Sequence, residues 1–474
     1  MKTIKQHIFE VQNIAQQIRG FAKSRSSKKL RFYHGGTNST RKQNLEDYHL
    51  IDISCLDDVI EINTREKYAL VEPNVSMDKL VDITLQYGFI PQVVMEFPGI
   101  TVGGAINGGT LESSSYRYGQ LSDTAIEYEI ILGNGEILTV SSKKHPDLFY
   151  GISGTYGTLG LLTLIKLKLL PSSKYVHTTY IPTTSPTKNL NLLKEFMQVN
   201  DINYVEGILF DSTQSVVITG KLTNTTDLPV KTYSKATDPW FYERARQVAR
   251  SEQKHEELIP VKDFMFRYNR GAFWMGEHVF SIVHIPNNKI TRTLLNPFFN
   301  TRKLYDCLQA LNLSQTFFIQ DFYCPIDKTL DFIKFSDSKL SIYPIWLCPV
   351  KPTKTPQKMS PHYFNSSMLI DIGIWGRSKE YLKDEISINR KFENFAKQMN
   401  SRKMLYAHAY YSEEDFWSIY DKQWYSEMRD RYYAEAAFPD IWQKVHVTGI
   451  YKVNFWKGIG KILLDSMKGK HLNT

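Results

Sequence analysis

The chain has 474 residues, 42% of them hydrophobic and 13% aromatic, with a formal net charge of +9. That length exceeds one ordinary core and the apolar content is enough to bury two. The positive excess sits at the ends: residues 1–42 hold ten Lys and Arg against Glu10, residues 450–474 hold five Lys against Asp465, and the residues between them include 43 basic and 47 acidic side groups. With no recognition motif beside them, these termini do not make a nucleic-acid surface. Cys55, Cys307, Cys324 and Cys348 show neither C-x-x-C nor metal spacing. No signal peptide precedes them, so free thiols in a reducing, intracellular setting and no metal site are expected. No run of about eighteen apolar residues occurs, so the expectation is a cytoplasmic or membrane-peripheral protein without a spanning segment.

Ile4, Ile8, Val11, Ala15, Ile18 and Phe21 recur at three- and four-residue steps, predicting an opening helix with one apolar stripe packed on a core. Leu30 to Arg41, LRFYHGGTNSTR, reads as a strand that breaks into an anion-binding turn at Gly35, Gly36, Thr37, Asn38 and Ser39. Phe97 to Gly119, FPGITVGGAINGGTLESSSYRYG, is more telling. Gly99, Gly103, Gly104, Gly108 and Gly109 fall within eleven residues, too many for a self-sufficient helix or strand. Bare backbone N–H groups with the hydroxyls of Thr101, Thr110, Ser113, Ser114 and Ser115 suit a pyrophosphate or the polar edge of a ring. The spacing is neither G-x-G-x-x-G nor G-x-x-x-x-G-K-[ST]. Tyr128 to Val140 predicts a hairpin turning at Asn134 and Gly135, and Asp147 to Leu164 places Gly151, Gly154, Gly157 and Gly160 three residues apart before another strand.

In this order the pieces resemble the FAD-binding domain of the vanillyl-alcohol oxidase and p-cresol methylhydroxylase superfamily. The resemblance implies an α+β fold: a two-part FAD-binding domain of the p-cresol methylhydroxylase type over residues 1–173 and a substrate-binding cap domain over 174–425, with an antiparallel sheet and flanking helices. A return segment follows over 426–449, then a basic tail over 450–474. It also implies that FAD is wrapped by His34 to Ser39 and by Thr101, Val102, Gly103, Gly104, Ala105, Ile106, Asn107, Gly108, Gly109, Thr110, Leu111, Glu112 and Ser113. Tyr118, Gly119, Thr158 and Gly160 are expected close by. Many relatives attach flavin through a histidine directly after the paired glycines; here that position is Thr37, so noncovalent FAD is expected. ESSSYRYG at 112–119, YPIWLCP at 343–349, IDIGIWG at 370–376 and MLYAHAYYSEEDFWSIYD at 404–421 narrow the likeness to the Δ24-sterol reductase (DIMINUTO or seladin-type) branch, with YVEGILF at 204–210 and AFPDIW at 437–442 in the same order. Animal and plant members carry an N-terminal membrane segment, whereas this chain is expected to start directly at the flavin domain.

Within the middle region, Tyr180 to Thr187 and Asn224 to Thr237 read as polar connectors and Val350 to Pro361 as an exposed basic loop. Phe264, Phe266, Tyr268, Phe273 and Trp274 crowd one stretch, and Phe317, Phe318, Phe322 and Tyr323 another. Such a load suits an apolar ligand, although aromatic clusters are more often core. Alternation along LYAHAYY sets Tyr406, His408 and Tyr410 on one face of a strand.

Reducing an isolated trisubstituted alkene needs an acid, a hydride source and a dry pocket. The resemblance makes His408 and Tyr406 the candidate proton donors, at a position where the sterol reductases carry an acid in place of His408. Glu112 is a further candidate, with hydrogen bonding to neighbouring backbone N–H groups as its plainer role. The implied activity is FAD-dependent reduction of a C=C bond in the side chain of a sterol or related isoprenoid lipid, with NADPH as transient electron donor or a partner reductase in its place. The alternatives are an FAD-dependent oxidase or dehydrogenase of an alcohol or sugar, and a flavin-bound membrane scaffold. In the tail, Val453, Trp456, Leu463 and Met467 lie along one side among Lys457, Lys461 and Lys468, which suits either an anionic membrane surface or packing on a protein.

Overall fold

The computed structural model describes residues 1–24, 26–35, 39–42 and 45–452. The tail from 453, together with Gly36, Thr37 and Asn38 of the first turn, lies outside the described residues. The architecture is α+β. The opening helix Ile4–Ser24 buries His7, Val11, Ile14, Ala15, Ile18 and Phe21. Its inward stripe is rotated from the one read in the sequence: Ile4 and Ile8 stand in solvent, while His7 takes an inward place. That histidine is admitted because carboxylates meet both ring nitrogens, Glu72 at 2.7 Å and Glu129 at 3.1 Å.

Strands Lys29–Tyr33 and Tyr48–Asp52 pair in parallel. A second, antiparallel sheet runs in the order Val59–Asn63, Tyr68–Val71, Leu161–Pro171, Ala125–Ile131, Ile137–Ser141, with Phe89–Pro91 also on Leu161–Pro171. The Asn134-Gly135 hairpin joins its last two strands, pairing Tyr128 with Val140. Alternate residues of the long strand, Leu161, Ile165, Leu167 and Leu169, enter the same core as the opening helix.

The other large layer is an eight-stranded sheet in the order His255–Pro260, Tyr175–Thr183, Ser215–Thr223, Tyr204–Leu209, Ile345–Val350, Leu369–Gly376, Phe318–Pro325, Arg402–Lys403, with every neighbouring pair antiparallel. Period-two alternation divides its faces. Phe318, Phe322, Leu347, Ile370, Ile372 and Ile374 pack under helices Pro186–Phe196, Thr329–Lys339 and Glu385–Gln398. Ile319, Tyr323, Trp346, Cys348, Leu369 and Trp375 point the other way, into a core shared with Val81, Ile90, Val94 and Leu111 of the first layer. Both faces are therefore apolar, which explains the nearly continuous hydrophobic runs of the central strands.

Two local readings of the sequence are corrected. The first proposed connector is strand up to Thr183 and then helix from Pro186, because Thr178 and Tyr180 face the core while Ser185 caps the helix through the Lys188 N–H. The basic loop after Val350 is largely buried: Gln357 and Ser360 bond to Asp123 and Gln120 of the first layer, at 2.6 and 2.8 Å.

Residues after the edge strand return to the first core well ahead of 426, with Leu405, Ala409, Tyr411 and Phe416 already in it. Helix Lys422–Arg431 completes the return. Its buried Arg429 donates to the carbonyls of Thr158, Phe438 and Pro439 at 2.8–3.0 Å. No helix among the described residues is long and apolar enough to cross a membrane.

Candidate active site

A cavity of about 1010 Å³ opens where the two sheets meet. One side is built by the glycine-rich stretch. Thr101 caps the short helix Val102–Gly108 by accepting from the Gly104 N–H at 3.2 Å, and Gly109 closes it in a left-handed conformation. Helical geometry then sorts the residues. Thr101, Gly103, Gly104, Asn107, Gly108, Thr110 and Leu111 line the cavity, while Val102, Ala105 and Ile106 turn into the core behind. His34, Gly35, Ser39 and Gly160 line it as well.

The remaining sequence candidates stand elsewhere. Thr158 is buried and accepts the Tyr425 hydroxyl at 2.8 Å. Gly119 sits against Asp123, where a side group has no room. Ser113 and Glu112 lie behind the cavity wall. Glu112 accepts from Ser113 Oγ at 2.6 Å and from Arg267 at 2.6 Å, and Arg267 also reaches Glu206 at 3.0 Å. The Ser113 carbonyl accepts from Val205 N at 2.9 Å and the Ser115 carbonyl from Lys351 N at 3.0 Å. Residues 112–118 thus stitch the loop to the second sheet, with Tyr118 packed at the margin of the first core. Burial pushes the Glu112 carboxyl up while Arg267 draws it down. The guanidinium itself, between two carboxylates, is held firmly charged.

The cavity carries a charge imbalance that a dinucleotide cofactor would relieve. Arg31, Arg41 and Lys444 line one end. Lys444 donates to the Tyr156 carbonyl, and Arg41 to the carbonyls of Leu405 and Ala407; neither has a carboxylate partner among the described residues. Burial and then the nearby Arg31 and Arg41 drive Lys444 well below the usual lysine range; burial brings Arg41 down to about 10. Buried His34 Nδ1 has no hydrogen-bond partner among the described residues. Gly35 is in the left-handed region with open space where a β-carbon would be, and Gly104 meets only Thr101 Oγ1. Three crowded cations, an unpaired ring nitrogen and bare backbone at a capped helix start fit the pyrophosphate of FAD.

The opposite side is aromatic and acidic. Phe273, Tyr305, Phe317, Trp346 and Trp375 line it, with Phe273 and Trp375 ring centroids 4.5 Å apart. Among them stand Asp321, from the centre of strand Phe318–Pro325, and Glu96, just ahead of the glycine-rich stretch. Asp321 Oδ2 accepts from the Tyr406 hydroxyl and from Trp375 Nε1, the latter at 3.3 Å, while Oδ1 has no partner. Gly373, opposite Asp321 in the neighbouring strand, makes room for it: a β-carbon there would lie 2.8 Å from Asp321 Oδ1. Asp371 lies on the same sheet face, opposite Tyr323, with neither oxygen partnered. Burial lifts Asp321 to about 7, Glu96 to about 8 and Asp371 well above the usual carboxyl range, with carboxylate repulsion adding to the last two. All three are therefore shifted toward the protonated form, and Asp321 titrates close to neutrality. Neither Asp321 nor Glu96 stood out in the sequence, although an acid inside FFIQDFY or beside FPG was its available signal.

His408 departs from the sequence expectation. Residues 404–411 form no continuous strand: the segment turns at Leu405 to Ala407 and makes a single bridge, Ala409 to His446, so Tyr406 reaches the cavity while His408 does not line it. Its Nδ1 lies 3.3 Å from Thr40 Oγ1, and burial, with Arg41 and Lys403 nearby, lowers it to about 3. Uncharged and not among the residues lining the cavity, this imidazole is poorly placed to act as an acid on a ligand there.

Residues 6–141 match the family model described as FAD binding domain. Over 449 residues the chain is 28% identical to the Delta(24)-sterol reductase of Rattus norvegicus, covering 93% of this chain and 86% of that protein. Similarity to the Delta(24)-sterol reductase of Pisum sativum, also 28%, covers 83% of this chain and 76% of the relative. The Cytokinin dehydrogenase 2 of Arabidopsis thaliana is 29% identical over 192 residues, 40% of this chain and 37% of that protein. The chain is an FAD-dependent oxidoreductase with an FAD binding domain, and the relatives it resembles over most of its length are Delta(24)-sterol reductases.

Proposed function

We propose that this enzyme reduces an isolated C=C bond in the side chain of a sterol or related isoprenoid lipid, with NADPH supplying the electrons and Asp321 the proton. The observation that carries this reading is the pairing of an apolar, aromatic chamber with buried carboxyl groups shifted toward their protonated form, continuous with the cofactor cradle. Held in its reduced form, FAD supplies hydride from N5.

Residues of the protein do the rest. Asp321, among the residues lining the cavity, would give its proton to the less substituted alkene carbon. Tyr406 and Trp375 fix the carboxyl through Oδ2 and stabilise the carboxylate left after transfer. Positive character then develops on the more substituted carbon, where the ring faces of Phe273, Trp346 and Trp375 offer favourable electrostatics without a nucleophile. The same rings exclude water that would otherwise trap that centre. Hydride addition to it completes the saturated product, and solvent returns the proton to Asp321.

The test is anaerobic. Mixing the holoenzyme with NADPH should bleach the flavin band, and adding a Δ24 sterol such as desmosterol should restore it with formation of the saturated product. A flavin that ignores NADPH but is bleached by an alcohol or sugar would overturn the reading.

A further inference from the structure

Sixteen large apolar residues are exposed among the described residues, and five of them, Val283, Ile285, Ile290, Leu294 and Phe298, fall between 283 and 298. Ile290 and Leu294 are 70% and 73% exposed, and helix Lys289–Leu294 has no buried residue at all. Water gives such a helix no reason to present isoleucine and leucine outward one turn apart. Its ends are firmly held nonetheless. Asn288 caps it through the N–H groups of Ile290 and Thr291, at 2.9 and 3.1 Å, and Arg292 ties it to Glu243. This is a built projection whose outer face has no partner among the described residues.

Charge and position indicate the partner. The segment from His278 to Tyr305 includes Lys289, Arg292, Arg302 and Lys303 and no acidic residue. Arg292 and Arg302 are matched by Glu243 and Asp78; Lys289 and Lys303 have no ion pair with a described residue. An apolar tip in a basic collar is complementary to an anionic lipid surface, where burial and charge attraction add. The projection also springs from the cavity wall. Helix Met275–Ile282 enters it and contributes Met275 and Val279 to the cavity; helix Thr301–Ala310 leaves it and contributes Leu304 and Leu308.

We infer that residues 283–298 form an interfacial anchor that dips into an anionic bilayer and sets the cavity mouth against the lipid. The enzyme would then take an apolar substrate directly from the membrane. Docking itself does not depend on the substrate being a sterol, so it stands or falls separately from the proposed reaction.

The full-length holoenzyme and an Ile290→Ser/Leu294→Ser/Phe298→Ser variant should be floated with phosphatidylcholine vesicles containing or lacking phosphatidylglycerol. The wild type should float with anionic vesicles, and the variant should partition roughly tenfold or more weakly, with its flavin absorbance and unfolding midpoint unchanged. The 453–474 tail is present in both proteins. Equal flotation of the two, or no flotation of the wild type, would overturn the inference. So would lipid-free dimerisation of the wild type that the variant loses, since a second copy would then be what covers the patch.

Discussion

Tyr406, on the segment that returns the chain to the first core, donates its hydroxyl to Asp321 Oδ2 on a central strand of the second sheet. The same Tyr406 accepts at its carbonyl from Thr40 N at 3.2 Å and Ser39 Oγ at 2.9 Å, beside the first cofactor turn. One residue therefore ties the acid, the cofactor cradle and the junction of the two layers together, so that neither layer alone completes the site.

The acid should show in the pH profile. Asp321 near 7 and Glu96 near 8 are neutral below those values and ionised above them. Reoxidation of the reduced enzyme by alkene should therefore be flat at lower pH and fall as pH rises through about 7 to 8. Stopped-flow traces across that range check it, and a rate that rises instead would point to a base.

Cofactor affinity should depend on the crowded cations. Lys444→Met removes a buried ammonium whose partner is the Tyr156 carbonyl, which in the absence of an anion relieves repulsion with Arg31 and Arg41. The apoprotein should be no less stable than wild type, while FAD binding weakens by about 1–3 kcal/mol. Fluorescence titration with FAD measures the second effect and thermal unfolding the first.

Arg267 should matter to stability more than any surface pair. Arg267→Met leaves Glu112 and Glu206 buried without their cation, at a cost of about 3–5 kcal/mol. Adding Glu112→Gln and Glu206→Gln should recover much of it, because the expense lies in unpaired charge and not in lost attraction. Denaturant unfolding of the single and triple variants tests this, and additive losses would contradict it.

A further stability effect belongs to the opening helix. Burial works against a charged His7, but hydrogen bonds to Glu129 and Glu72 outweigh it and hold the imidazole up at about 9 from an ordinary 6.5. The folded-state value is the higher one, so this stabilisation is complete below about pH 6.5 and disappears as pH rises through about 9. His7→Gln should cost about 1.5–3 kcal/mol at about pH 6, and the gap to wild type should close by about pH 10.

How much of this the sequence discloses follows from the range of the interactions involved. The cofactor side is legible because its signals are local. Glycines, small hydroxyls and a cap fall within a dozen residues, and seven of the stretch from Thr101 to Leu111 line the cavity. Glu112 and Ser113 follow without a break yet belong to the clamp on the second sheet, a division that only Arg267 and Val205, far along the sequence, determine. The acid side is hidden for the same reason. Asp321 reads as a stray carboxylate in a buried strand until Tyr406, Trp375 and Gly373 surround it. His408 misleads because the alternation of LYAHAYY mimics a strand, whereas the carbonyls of Leu405, Ala407 and His408 are taken by Arg41 and Lys403 and the segment turns at Leu405 to Ala407 instead of running as one strand.

The most direct measurement is the anaerobic reoxidation of NADPH-reduced Asp321→Asn holoenzyme by desmosterol. If Asp321 gives the proton, reoxidation should slow by about 10²–10⁴-fold, with FAD content and reduction by NADPH unchanged and His408→Ala close to wild type. An Asp321→Asn enzyme that reoxidises at the wild-type rate would contradict the account.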